Sequence, residues 1–332
     1  MSVRLEELFD SLVLPLEQPT GHSLSAVHIP GYDDYRLAKN SSGSPCLLLQ
    51  HSNPSAPASP IRLQNIIILY GVPCVITRTD NKQEEGNFTI IQCSNVDPSL
   101  YPHFLKILSP IIVTLGPVPT PAAVRRAISG LVDLFQALTV PAKKSIQGLW
   151  AELFVIRHAS DPPELIRAWH GVPGEHVDFV SGRHRIEVKS SSARSRVHHF
   201  SLIQLTPPLP AQLAVASLFV ENVGGGVSLR QLTEEIRTIL APHPPLLTRF
   251  DAVFYATLGS SWMEAMEERF DSELAAESLQ FFDSLSIPKV DCLIPVSVGD
   301  IRFTSDLSGV PVLDSVSLRT FGGLFAASVP AG

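Results

Sequence analysis

The segment HVDFVSGRHRIEVKSSS, residues 176–192, constrains this chain more than any other stretch. Two short runs of alternating character flank Gly182-Arg183. Glycine at the first position of a two-residue loop marks a type II′ hairpin turn, because that position needs a left-handed backbone. The turn sets the register: Val180 faces Arg185, and Asp178 lies opposite Glu187. Side chains alternate across a sheet, so Arg185, Glu187 and Lys189 share one face while Ile186 and Val188 point the other way, into a core.

Two carboxylates directly opposite each other across strands repel. A divalent cation between them removes the repulsion, and carboxylate oxygens are the ligands Mg²⁺ prefers. Such a pair should therefore lie within reach of one ion. Lys189 can then orient a metal-bound water or stabilise charge developing on a phosphate. Spacing alone equally allows a surface hairpin in which Arg185 and Lys189 balance the acids. Three features favour the cation. Glu152 interrupts the apolar helix face of LWAELFVI, where a carboxylate is costly unless it meets a cation or solvent. Arg183, Arg185, Arg194, Arg196, His198 and His199 make a local basic stripe suited to phosphate contacts, although such runs are often only solvated faces. Gln204, on the strand expected next, can face the same cleft.

The net charge of −7 over 332 residues argues against a protein that coats nucleic acid without specificity. It leaves room for a local basic groove, since phosphates respond to charge within about 8–10 Å. Hydrophobic residues at 45% and charged residues at 17% describe a globular chain with a real core, not a disordered one. Cys46, Cys74, Cys93 and Cys292 form no CxxC and no Cys/His cluster, which argues against zinc and against a disulfide framework. They read as buried, reduced thiols. The N-terminus has acids where a signal peptide needs a basic start, and it reads as a short amphipathic helix. No apolar run reaches the ~18–20 residues of a membrane span. A soluble cytoplasmic protein is expected.

Period and punctuation divide the chain. Strands are expected at Cys46–His51, Ile66–Tyr70, Val72–Arg78 and Phe88–Cys93. Apolar spacing of three and four then predicts helices over Tyr101–Leu115 and Pro121–Leu138, with LGPVPTP between them as a hinge. Ser145–His158 reads as a helix capped by Ser145. Strands follow at Val177–Ser181, His184–Lys189, Val197–Leu205 and Leu213–Glu221. Gly224–Gly226 reads as a loop and Ser228–Leu240 as an amphipathic helix. Helices near Leu246–Leu258 and Trp262–Ser284 precede a tail of short strands. The expected domains are a β-rich N-terminal domain at 1–116, a core with its preceding helices at 117–241, and a mainly helical region at 242–332. His158, His170, His176 and His184 lack a metal-ligand rhythm and read as surface or satisfied core residues. No GxSxG and no Cys/His nucleophile motif is present.

Asp178 followed by Glu187-Val188-Lys189 resembles the PD-(D/E)XK nuclease superfamily, and Glu152 in GLWAEL resembles its acidic first-helix motif. More narrowly, GLWAEL, Trp169, VDF, IEVKSS and RVHHFSLIQL resemble a PD-(D/E)XK family found near restriction and phage-defence genes. The likeness covers residues 146–240. It implies an α/β (α+β) fold with a restriction-endonuclease-like αβββαβ core, a mixed central sheet flanked by helices. It also implies Mg²⁺-dependent hydrolysis of DNA phosphodiesters, with Mn²⁺ as a substitute. Asp178 and Glu187 would be metal ligands, with the carbonyl of Val188 as a third. Lys189 would be the catalytic lysine, and Glu152 would support the metal or its water. Arg196, His198 and Gln204 match the downstream motif; with Arg185 and Arg194 they are the expected DNA contacts. Val177 stands where the superfamily name has proline. The expected role is the nuclease subunit of a restriction-like or anti-phage defence system, partnered by other subunits or by a second copy as a homodimer. The other reading is a catalytically weak DNA-binding or scaffold subunit.

Overall fold

The computed structural model describes residues 4–15, 22–50, 59–78, 82–94, 97–170, 175–293, 295 and 297–331. Two compact units emerge: residues 1–140 with 243–252, and residues 141–242 with 253–332.

The first unit begins with α1 (Leu5–Asp10), the expected N-terminal helix. Six strands follow: β1 (His22–Ile29), β2 (Tyr32–Asn40), β3 (Pro45–Gln50), β4 (Ile61–Arg62), β5 (Ile66–Arg78) and β6 (Gln83–Cys93). Their order is β1-β2-β3-β6-β5-β4, and β1 also pairs in parallel with β5, so five strands close on themselves. Closure removes the exposed edges of an open sheet. Leu24, Ala26, Leu48, Ile76, Phe88 and Ile90 fill the interior with the thiols of Cys46 and Cys74. All four cysteines are free, and Cys292 is exposed.

Two expectations change here. Ile66–Tyr70 and Val72–Arg78 are one strand, because Gly71 at φ +59° absorbs the bend as a bulge between Leu69 and Val72. The strands β1 and β2 carry no clear strand pattern in sequence, because serine, histidine, aspartate and lysine break their apolar runs. The strand expected at Cys46–His51 is Pro45–Gln50, and His51 lies outside the described residues. Two helices complete the unit's own chain, α2 (Tyr101–Leu115) and α3 (Pro121–Ala137), the second capped by Thr120.

The second unit carries α4 (Ile146–His158), α5 (Pro162–Ala168), β7 (Phe179–Ser181), β8 (His184–Ser191), β9 (Val197–Ser201), α6 (Leu202–Leu205) and β10 (Gln212–Phe219). Next come β11 (Asn222–Ser228), α7 (Leu229–Leu240) and α8 (Pro244–Leu258), whose opening residues belong to the first unit. The rest is α9 (Trp262–Ala265), β12 (Arg269–Phe270), α10 (Ser272–Ser278), β13 (Gln280–Asp283), β14 (Arg302–Asp306), β15 (Val312–Leu313), α11 (Ser315–Phe321) and α12 (Gly323–Ser328). The main sheet runs β15-β13-β10-β8-β7 and is mixed: β8 and β10 are parallel, the other pairs antiparallel. The combined architecture is α+β. None of the described helices is long and apolar enough to cross a membrane.

Local chemistry explains where the sequence reading fails in this unit. Val197–Leu205 is not one strand, because Ser201 and Gln204 form a capping box that ends β9 and starts α6. Gly224–Gly226 is not a loop but part of β11, which pairs with β12. A Cβ on Gly226 would lie 2.2 Å from the Phe270 carbonyl, so this close strand approach needs glycine. Trp262–Ser284 is not one helix: Asp271 accepts hydrogen bonds from Glu273 and Leu274 and opens a separate helix, α10. The tail contains β14 and β15 but ends in α11 and α12 rather than in strands.

Candidate functional site

The hairpin forms with Val180 paired to Arg185 and Ser181 to His184. Gly182, at φ +55°, carries the left-handed turn position. β7 begins at Phe179, so Asp178 sits just before the strand, and its Oδ2 accepts the Val188 backbone N–H at 2.8 Å. Asp178, Glu187 and Lys189 line one cleft of about 520 Å³, together with Lys144, Glu152, His170 and Gln204. The three acids are almost fully buried: Glu152 is 2% exposed, Glu187 3% and Asp178 4%. Buried carboxylates on this scale must be paired or must hold a cation.

Glu152 is held from three sides. Ser145 caps α4 by accepting the Gly148 N–H, and Glu152 follows two turns into the helix. Its Oε2 accepts the Trp169 indole N–H at 2.7 Å and lies 3.0 Å from His170 Nε2. Its Oε1 accepts from Lys144 Nζ at 2.5 Å. Lys144 Nζ also donates to Asp178 Oδ1. Burial pushes the Glu152 carboxyl upward, but the His170 hydrogen bond and the Lys144 charge outweigh it and hold the group below its usual range. Asp178 goes the other way: burial and the neighbouring Glu152 charge raise it against the pull of Lys144. Burial works against the Lys144 ammonium, yet the charges of Asp178 and Glu152 prevail and raise it. His170 has φ +44°, an uncommon conformation for a non-glycine residue, and its N–H donates to the Asp178 carbonyl at 2.8 Å. Glu152, His170 and Asp178 each offer a ligand atom, all within 4.8 Å of one another.

Glu187 is held differently. Its Oε1 lies 2.7 Å from Lys189 Nζ and accepts Gln204 Nε2 at 2.8 Å. Among the described residues no donor reaches its buried Oε2. Burial and the charge of Asp178 push the carboxyl up to about 8 despite Lys189. Gln204 is turned by its capping box: its Oε1 accepts the Ser201 N–H at 3.0 Å while its amide reaches Glu187 and the His176 carbonyl. Lys189 lies 5.1 Å over the Phe200 ring, which leaves its ammonium at the acids.

The basic residues have internal partners. Arg185 donates to the Gly182 carbonyl and to Glu175. Arg194 forms a two-point pair with Glu221, with 63% of its side chain exposed. Arg196 donates to the Ser217 carbonyl and hydroxyl and to the Ser278 carbonyl, and its guanidinium lies 4.8 Å over Phe219. His198 is buried against the Ser217 hydroxyl at 2.8 Å. Burial, with Lys189 and Arg196 close by, lowers it to about 4, so it is neutral near pH 7.

The structure thus gathers Glu152, Asp178, Glu187, Val188, Lys189, His198 and Gln204 along one cleft and turns Arg185, Arg194 and Arg196 into intramolecular pairs. It adds Lys144, His170 and Trp169, which the sequence reading did not select for the site. One signal for Lys144 was legible. Lys143-Lys144 precedes a helix N-terminus, where the helix dipole disfavours cations, so an acid partner is called for.

A family model described as "Putative PD-(D/E)XK family member, (DUF4420)" matches residues 5–308. No curated protein and no solved structure matches the chain.

Proposed function

The chain belongs to the DUF4420 family, a membership that suggests a nuclease, and from that premise we propose that the cleft is a divalent-cation-dependent endodeoxyribonuclease site. The observation that carries the reading is the buried acid cluster. Three carboxylates, Glu152, Asp178 and Glu187, face two ammonium groups, Lys144 and Lys189, and one Glu187 oxygen has no donor among the described residues. With all five ionised these groups carry one net negative charge and repel a phosphodiester, Glu175 of the same lining being paired with Arg185. A doubly charged cation reverses that sign. The residues fit such an ion: the donors are mainly oxygen, which suits Mg²⁺ or Mn²⁺, and one is an imidazole, which Mn²⁺ also accepts.

In this reading Asp178 and Glu187 hold the ion with the Val188 carbonyl, and Glu152 and His170 stand beside Asp178 as further donors. When bound, the ion supplies a polarised phosphoryl oxygen and an acidified water. Lys189 keeps an ammonium at the reacting phosphate and stabilises its growing charge. Gln204 positions Glu187 through the amide hydrogen bond. Trp169 fixes the Glu152 carboxylate from the apolar side. The chain order α4, β7, β8, β9, α6, β10 follows the expected helix, three strands, helix and strand, with α5 inserted after α4, but β9 pairs with β14 outside the main sheet, so only β7, β8 and β10 of these strands share it. We extend the proposal to the nuclease subunit of a restriction-like or anti-phage defence system, on the resemblance of the 146–240 stretch.

The test is plasmid cleavage by purified protein with Mg²⁺ or Mn²⁺, with and without EDTA. Cleavage is expected only with the ion, and Asp178→Asn and Lys189→Met are each expected to lower it by about 10²–10³-fold or more. Undiminished cleavage by both variants rejects the site.

A further inference from the structure

We propose that Lys144 is a built-in cation which occupies the Glu152–Asp178 carboxylates in place of the divalent ion, so that seating of Lys144 and binding of the ion exclude each other. The inference rests on the metal-dependent reading above and adds a control element to it.

The geometry is specific. Lys144 stands immediately before the helix cap Ser145, and its neighbour Lys143 is tied by its N–H to the Thr257 carbonyl at 2.9 Å. From that anchored backbone the side chain reaches the carboxylate two turns along α4, 2.5 Å from Glu152 Oε1, and contacts Asp178 Oδ1 as well. Those two carboxylates supply two of the three ligand positions that cluster within 4.8 Å, the third being His170. An ammonium and a divalent ion on the same two carboxylates carry charge of the same sign at close range. Mg²⁺ also demands a near-ideal shell of oxygen ligands, which an ammonium on two of them denies. Lys189 does not compete in this way, because it pairs with Glu187 alone among the three acids.

Lys144 also has somewhere to go. A third of its side chain is exposed, and it lines the cleft beside Ser145 and Gly148 at the N-terminal turn of α4. Released by an arriving ion, the ammonium stays tethered at the mouth of the same cleft. Without the ion, Lys144 neutralises acids that would otherwise repel one another in a buried site. With the ion, the balance of these carboxylates and ammonium groups turns positive and includes a mobile ammonium free for an anionic ligand.

The experiment needs no nucleic acid. Mn²⁺ alone is titrated by calorimetry into the full chain and into Lys144→Met. The variant is expected to bind roughly five- to 150-fold more tightly, the usual span of coupling between competing sites. Its thermal midpoint is expected to fall in EDTA and to recover with Mn²⁺. Equal or weaker binding by the variant overturns the proposal, even if its stability falls. If wild type and variant both fail to bind Mn²⁺, the metal-site reading fails and takes this proposal with it. A second measurement uses only wild type and so does not depend on the variant folding. Amine-reactive labelling of Lys144, read by mass spectrometry, is expected to rise severalfold when Mn²⁺ is added. Labelling that stays constant or falls overturns the proposal.

Discussion

The acid cleft and the basic stripe lie within the same stretch of chain, yet they treat charge in opposite ways. In the cleft, Glu152, Asp178 and Glu187 are buried and incompletely compensated, with one Glu187 oxygen lacking a donor among the described residues. In the stripe, Arg185, Arg194 and Arg196 each have carboxylate or carbonyl partners, and His198, which also lines the cleft, is neutralised by burial against a hydroxyl. Desolvated charge without full compensation is costly, and such sites are where function is expected. Charge that is internally satisfied contributes to holding the fold. The difference separates residues arranged to meet a ligand from residues arranged to meet one another.

The largest effect that sharpens this contrast is at Glu187. Glu187→Gln removes an ionisable carboxyl from the acid cluster and is expected to reduce cleavage by on the order of 10²–10³-fold or more in the plasmid assay. It should leave the ion-free protein as stable as wild type or more stable, because burial and Asp178 already disfavour the ionised form of this carboxyl and the amide never ionises. A large loss of stability in this variant would show that the acid is structural, like the stripe.

The pH dependence separates the two regions in a second way. Burial and Asp178 raise the Glu187 carboxyl from an ordinary value of 4.5 to about 8. Between those values the folded state binds more protons than the unfolded state. This group's contribution therefore lowers stability as pH rises from about 4.5 to 8. His198, lowered to about 4 from 6.5, has the opposite sign. Its contribution is lost as pH falls from 6.5 towards 4. Denaturant unfolding of ion-free protein at pH 5, 6.5 and 8.5 should show a decline at the alkaline end that Glu187→Gln flattens. A slope unchanged in that variant removes Glu187 as its source.

Arg196→Ala acts on the stripe. It removes hydrogen bonds to Ser217 and Ser278 and a stacked guanidinium, and is expected to cost about 2 kcal/mol in urea unfolding. Loss of DNA affinity at unchanged stability would make Arg196 a phosphate contact instead. The smallest effect is at Arg194, whose pair with Glu221 is exposed. Arg194→Ala should not move the thermal midpoint measurably. If Arg194 exchanges Glu221 for a phosphate, the variant's salt slope for duplex binding falls by about 0.9. An unchanged slope keeps Arg194 with Glu221 and off the DNA path.

Much of the cleft was legible because its determinants are local. Gly182-Arg183 dictates the turn and therefore the register, and Ser145 marks the start of α4. The apolar surroundings of Glu152 left either a cation partner or solvent for its carboxylate, and 2% exposure decides against solvent. Other elements misled for equally local reasons. The capping box at Ser201 and Gln204 uses residues that also fit a strand, and β11 is glycine-rich because Phe270 packs against it, which sequence spacing does not reveal.

What the sequence determined by itself was the hairpin, its register and the helix before it. Each follows from turn chemistry or periodicity within about ten neighbouring residues, whereas the grouping of Glu152, Asp178, Glu187 and Lys189 into one set rested on the family resemblance. Only the tertiary structure decided which charges meet. Lys144, Glu152, Trp169, His170 and Asp178 come from a helix cap, a helix face and the approach to a strand, and they converge because α4 packs against β8. Likewise Arg196 reaches Ser217 and Ser278 only because β10 and α10 fold beside it. A side chain's partner depends on long-range packing, and spacing along the chain carries no record of it.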